Sequence, residues 1–281
     1  MQTQLSPYLH LSNGLQTRLF LVCAKYFSPL FHSLSFNVVR EALSYLSFAA
    51  VLPYLSGKSL SLFYLSSGPE VSVPLVQSFP KTSQCCLVSA VEVLLFPNLS
   101  TEVWLFRLAS RRTSPMPALH LARDWPGIVA YNCHVYLFGG FNERSNERLD
   151  TLSSWTSLSN SDYHHFQMNP CPVHTRIFLC DNRAWGYKVE VYDLPSDSFS
   201  MEAGVYFQLS GAVMLAEEET LLWVSCQGHV VVKKQGEYGK MKENMGKKYQ
   251  ITMLCPVKFE GSFYWREMGG AVQSLPISTA N

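Results

Sequence analysis

His134-Val135-Tyr136-Leu137-Phe138-Gly139-Gly140 is the stretch on which the fold turns. Five residues suited to a buried, pleated surface run into two glycines, which reads as a strand stopped by a sharp turn. Upstream, Asn132 suits a tight turn that makes this strand the second arm of a hairpin. Short apolar strands of the same kind occur at residues 91–96, 176–180, 221–225 and 262–265. With Val93, Tyr136, Phe178, Leu222 and Tyr264 taken as equivalent, the steps between them are 43, 42, 44 and 42 residues.

A further strand follows each of the first four, as in Val103-Trp104-Leu105-Phe106, Val189-Glu190-Val191-Tyr192 and His229-Val230-Val231-Val232. The segment Leu60-Ser61-Leu62-Phe63-Tyr64 lies 43 residues or so ahead of Trp104 and is matched to this further strand. A period of roughly 40–50 residues with several strands per repeat is the pattern of propeller blades; paired helices would show a 3.6-residue pattern instead. The sequence therefore predicts an all-β chain, a β-propeller of about five or six blades over residues 57–281. Residues 58–66 read as the later strands of a blade and residues 250–275 as the early strands of one. Joining the two would close the ring and remove the exposed sheet edges that invite aggregation.

Residues 1–56 have a different texture, and the prediction there is a short helical leader. Leu34, Val38, Val39, Ala42 and Leu46 fall on one face of a helix, with Asn37 as a possible cap and Pro53 as a stop. A second helix is expected over residues 15–27, ahead of Pro29.

Composition narrows the function classes. Of 281 residues, 47% are hydrophobic and 15% charged, and the net charge is +1, so no global field exists that would gather nucleic acid or anionic membrane. The eight cysteines are scattered through apolar strand patterns, unlike a disulfide scaffold, and point to reduced, buried thiols and a cytoplasmic location. The sequon Asn98-Leu99-Ser100 does not outweigh this. No apolar run of about 18 residues is present for a membrane span, and the apolar run at residues 19–24 is cut by Lys25 before it could serve as a signal peptide.

Residues 123–140 resemble a Kelch repeat: Arg123, the small residue Gly127 four positions on, the polar turn at Asn132, then an apolar strand ending in Gly139 and Gly140. Trp155 stands where the tryptophan that closes such a repeat usually stands. In the following repeat His165 takes the place of Arg123, and Asp181-Asn182 replace the glycine pair. The resemblance covers residues 58–281 as architecture and about 120–200 as motif. It implies a non-catalytic scaffold that binds another protein through the loops at one end of the propeller. On that reading the partner-binding residues are Arg123, Asn142, Arg144, Arg148, His165, Asn182, Arg183 and Trp185, arginine and tryptophan being over-represented among energetically important contacts. Residues 34–47 resemble the first half of an F-box, although the usual proline after the first leucine is missing. That resemblance implies, as the alternative function, a substrate-recognition subunit of a ubiquitin ligase with the ligase adaptor as a partner; an amphipathic helix packed beside the propeller accounts for the same pattern.

Other constellations carry less chemistry. His164, His165, Cys171, His174 and Cys180 include one pair at zinc-ligand spacing, yet Cys180 belongs to an apolar strand, and the expectation is no metal. Lys233, Lys234, Lys240, Lys242, Lys247 and Lys248 suggest a basic, solvated connection that could meet an acidic partner. No phosphate-binding glycine loop, nucleophile elbow or zinc-protease motif occurs, so neither a cofactor nor catalysis is expected; the rival reading is a metal-dependent enzyme on a propeller platform, with its metal at the His164 to Cys180 cluster.

Overall fold

The structure is a computed structural model that describes residues 51–64, 70–80, 83–89, 92–108, 110–141, 143–150, 153–163, 170–180, 189–202, 213–217, 220–224, 230–234, 237–238, 257–259, 262–266 and 272–276. Among the described residues the chain forms strands and turns, arranged as six small antiparallel sheets that follow one another along the sequence. The first sheet holds β1 (Val51–Ser56), β2 (Ser59–Tyr64) and β3 (Glu70–Pro74). The second holds β4 (Gln84–Ser89), β5 (Glu92–Phe96), β6 (Trp104–Arg107) and β7 (Arg112–Pro115). The third holds β8 (Gly127–Tyr131), β9 (His134–Phe138), β10 (Asn146–Asp150) and β11 (Ser154–Leu158). The fourth comprises β12 (Cys171–Val173), β13 (Arg176–Cys180), β14 (Val189–Asp193) and β15 (Ser198–Met201). The fifth comprises β16 (Val213–Glu217), β17 (Thr220–Val224), β18 (Val230–Lys234) and β19 (Glu237–Tyr238), and the sixth β20 (Val257–Phe259), β21 (Ser262–Arg266) and β22 (Val272–Pro276). Every sheet is a simple meander in chain order.

The second strands β5, β9, β13, β17 and β21 begin at residues 92, 134, 176, 220 and 262, so the 42–44-residue period is a structural repeat. Their central residues are apolar, and in β5, β9 and β13 neighbouring sheets cover both faces. In β5 Leu95 packs toward the first sheet with Leu60, Leu62 and Cys85, while its neighbour Leu94 packs toward the third with Ile128, Leu137 and Trp155. Val129, Tyr136 and Phe138 likewise meet Ile177, Leu179 and Tyr192 between the third and fourth sheets, and Phe178 and Val191 meet Met214 and Trp223 between the fourth and fifth. The hydrophobic core is thus a series of layers between sheets, and no single sheet could bury its apolar faces alone.

The first strands β1, β4, β8, β12 and β16 lie beside one another in that order, and β1 also lies against β21 of the last sheet. Outer strands are solvated, with only Trp155 buried in β11 and no buried residue in β7 or β15. Prolines obey the same logic: Pro53, Pro74, Pro115, Pro172 and Pro276 all sit in strands at a sheet edge, where the missing N–H breaks no interior ladder.

Two expectations need correction. Helix-to-Pro53 fails because residues 51–56 form β1, a strand whose Leu55 is buried against β4 and β5; the helical pattern of residues 1–50 lies outside the described residues. By its spacing the segment at Leu60–Tyr64 corresponds to the strand at Trp104, the third of its sheet. It is instead β2, hydrogen-bonded on both sides as β5 is, and the chain-terminal segments form two separate three-stranded sheets rather than one shared blade. Among the described residues no helix is long and apolar enough to cross a membrane.

Candidate functional site

A meander of this kind places first-to-second and third-to-fourth turns at one end, the hairpin end. Second-to-third loops and the connections between four-stranded sheets fall at the other, the loop end. At the hairpin end Asn132 and Cys133 both adopt positive φ, 50° and 63°, between the paired residues Tyr131 and His134. That is the two-residue turn whose twist suits a hairpin, and asparagine tolerates it well.

At the loop end of the third sheet, Arg123 is the centre of a buried hydrogen-bond network. Its residue is 2% exposed. Nη2 and Nε donate to Glu147 Oε1 at 2.8 and 3.2 Å, and Nη1 donates to the carbonyls of Gly139 and Ser145, both at 2.6 Å. Glu147 is equally buried, and its Oε2 accepts the backbone N–H of His120 at 3.0 Å. Asn146 adds a second tie by accepting the N–H of Gly139 and donating to the carbonyls of Arg144 and Ser159. Gly139 and Gly140 adopt φ of 58° and 132°, which lets the chain leave β9 and run close beside residues 123–124. A Cβ at Gly140 would lie 3.3 Å from the Asp124 carbonyl oxygen.

Three loops are joined around this network. Leu99 N–H donates to the Arg123 carbonyl and Phe141 N–H to the Asp124 carbonyl. Asn98 donates its amide to Asp124 Oδ1 at 2.7 Å and accepts from Trp125 N–H, so the sequon side chain is committed to holding the loops together. Trp155 Nε1 donates to the Pro117 carbonyl, and its ring meets Phe96 edge-on, anchoring the third sheet to the second. On top of this framework three large apolar residues face solvent: Leu99 at 70%, Phe141 at 52% and Leu121 at 45% exposure. Leu99 holds φ at 57°, a conformation bulky side chains avoid.

The fourth sheet repeats part of the pattern. Glu190 occupies in β14 the place of Glu147 in β10, opposite Leu179 as Glu147 is opposite Leu137. It is buried, and it accepts from Ser161 Oγ and from the N–H of Asp162. Buried carboxylates on the third strand that accept backbone N–H groups of the incoming loop are thus a recurring device for fixing these connections.

The residues expected to contact a partner separate into distinct environments. Arg123 is corrected from a partner-facing residue to an internal clamp, because its guanidinium is enclosed by Glu147 and two carbonyls. Arg144 is exposed on the loop between β9 and β10, beside the apolar trio. Arg148 lies on the flank of β10 and pairs with Asp150, at 2.7 Å from Nε to Oδ1, toward the hairpin end. Asn142, His165, Asn182, Arg183 and Trp185 lie outside the described residues. Gly127 is buried at the start of β8.

Arg148 lies in a cluster with Asp150, Tyr136 and His134. Its hydrogen bonds hold the Asp150 carboxyl below the ordinary carboxylate value, and Asp150 in turn raises Arg148. Burial pushes the Tyr136 and Tyr192 hydroxyls upward, Tyr192 further through its 2.8 Å hydrogen bond to Asp197. His134 Nε2 completes the cluster 3.3 Å from Asp150.

Lys233, expected in a solvated connection, lies in β18, is buried and pairs with Glu202, tying the fifth sheet to the fourth. Cys171 and Cys180 are buried in the fourth sheet, whereas His174 takes positive φ in the turn after β12; among the described residues no three His, Cys, Asp or Glu side chains converge on a metal site. Cys85, Cys86, Cys171 and Cys180 are buried as expected, whereas Cys133 is exposed in its hairpin turn.

The candidate-site residues that sequence reasoning missed are Leu99, Leu121, Phe141 and Glu147. Leu99 and Phe141 did leave a signal, since each is a bulky apolar residue inside a turn-rich segment, Pro97-Asn98-Leu99-Ser100 and Gly139-Gly140-Phe141-Asn142.

No family model matches the chain, and no curated protein does. Among solved structures it is similar to that of YjhT, with 8% sequence identity and a TM-score of 0.62, over 81% of this chain and 93% of that one. At that identity the likeness is one of fold, an all-β arrangement of successive small sheets.

Proposed function

We propose that the protein is a non-catalytic, protein-binding scaffold of the Kelch type, its six sheets acting as the blades of a propeller whose first and last members meet at β1 and β21. The Kelch reading is supported by the period of the second strands and by Gly139 and Gly140, whose backbone angles and proximity to Arg123 explain that motif physically. The binding reading is carried by one observation: Leu99, Leu121 and Phe141 are exposed on loops that are hydrogen-bonded into a rigid unit. Apolar side chains on a preorganised surface lose little conformational entropy when a partner covers them, which favours association.

The test is affinity purification with the wild-type chain and with a Leu99→Ser, Leu121→Ser, Phe141→Ser variant, each checked for an unchanged melting temperature. Partners recovered by wild type and lost by the variant support the reading. An identical set of partners from both would show that the loop end is not the binding surface.

A further inference from the structure

The same face carries charge as well as apolar surface, and the charge is one-sided. Glu102 is exposed beside Leu99, and Asp124 and Glu143 are partly exposed beside Leu121 and Phe141. Each accepts a hydrogen bond from a neutral donor: Glu102 from Trp104 Nε1, Asp124 from the Asn98 amide and Glu143 from Ser145 Oγ. Those bonds orient the carboxylates without neutralising them. Arg144 is the exposed cation here, while Arg123 and Glu147 cancel each other beneath the surface. Three carboxylates against one guanidinium leave the surroundings of the apolar trio two charges negative, and exposed Asp162 on the adjoining loop adds to the excess.

We propose that this face takes a segment of a partner protein in which apolar anchors are flanked by lysine or arginine. The inference rests on the loop-end reading above and specifies its partner. A second copy of this chain fits poorly, because a symmetric face-to-face contact would set acidic rim against acidic rim. A basic segment meets the carboxylates with opposite charge, which raises its encounter rate and fixes its register while the apolar groups supply contact area. The positive φ of Leu99 agrees with a binding role: backbone strain of that kind persists where the surrounding structure enforces it, here through the Leu99–Arg123 backbone bond, and it tends to collect at functional positions.

A random 12-residue peptide library, selected on the immobilised full chain and counter-selected on the Leu99→Ser, Leu121→Ser, Phe141→Ser variant, tests this directly. The surviving peptides are expected to carry net positive charge and at least two large apolar residues. Their affinity should fall about tenfold in a Glu102→Gln, Glu143→Gln variant and fall further as salt is raised from 50 to 300 mM, following the screening of exposed charge. Surviving peptides that are neutral or acidic, or basic peptides bound equally by the two-glutamine variant, would overturn the inference. So would recovery of no face-dependent peptide. Sedimentation showing concentration-dependent self-association that the serine variant abolishes would assign the face to a second copy. In any of these cases, loss of cellular partners by the serine variant would still uphold the loop-end reading, so the two failures are separable.

Discussion

Replacing Arg123 by alanine removes the guanidinium enclosed with Glu147 and the donor shared by the Gly139 and Ser145 carbonyls. The Glu147 side chain is 2% exposed, so it cannot regain its hydration without the loop opening. Removing one member of a buried pair typically costs about 3–5 kcal/mol, because the remaining charge stays buried and uncompensated. The His120 N–H still donates to Glu147, which places the expected loss nearer the lower figure. In a domain of this size that loss lowers the melting temperature by roughly 10 °C. The assay is thermal and urea unfolding of wild type, Arg123→Ala, Glu147→Leu and the double Arg123→Met, Glu147→Leu variant. The double variant should be more stable than the sum of the single losses predicts, since neither charge is then stranded. Arg123→Lys should recover little, because an ammonium cannot serve the carboxylate and both carbonyls in one planar fork. An Arg123→Ala protein within about 0.5 kcal/mol of wild type, the range of ordinary surface substitutions, would refute the clamp.

Gly140→Val and Gly139→Val force β-branched side chains into positive φ, and at Gly140 the new Cβ meets the Asp124 carbonyl at 3.3 Å; a combined loss of about 2 kcal/mol or more is expected in urea titration. Trp155→Phe removes the hydrogen bond to the partly buried Pro117 carbonyl, costing about 1 kcal/mol by the same measurement. Acidification gives a further check through Asp150, whose carboxyl lies below its ordinary value of 3.8 in the folded chain. Its contribution is therefore full above that value and is lost as pH falls toward the lowered folded value. Melting temperatures recorded from pH 6 to pH 2 should drop more steeply in that acid window for wild type than for Asp150→Asn, by a modest amount because the pair is partly solvated.

The strands that could be read in the sequence are those the fold buries on both faces. β5, β9 and β13 carry apolar centres because a sheet lies on each side, and the spacing of such centres, continued in β17 and β21, exposed the repeat. Outer strands such as Arg112–Pro115 and Ser198–Met201 face water, so nothing in their composition distinguishes them from turns. β1 was misread for a related reason. Pro53 breaks the alternation expected of an interior strand, yet an edge strand needs no N–H at that point, so the residue that seemed to end a helix sits within a strand.

Arg123 shows why a binding residue is harder to read than a strand. An arginine beside turn residues looks identical in sequence whether it points outward or is folded inward onto a carboxylate. What decides it is Glu147, 24 residues away on β10, which only the antiparallel register of β9 and β10 brings opposite the Gly139 turn. The same register explains where the exposed surface arises. Arg123 fixes the backbone of residues 123–124, that backbone accepts the N–H groups of Leu99 and Phe141, and those residues are left facing solvent. On the proposed loop-end reading, position 123 would contribute to recognition without touching the partner. Arg123→Ala should consequently weaken partner capture together with stability, whereas Phe141→Ser should weaken capture alone. If Arg123→Ala, held folded well below its melting temperature, captured partners as wild type does, the loop surface would not depend on the clamp. The three exposed side chains would then have to be positioned by Asn98 and the glycine turn without it.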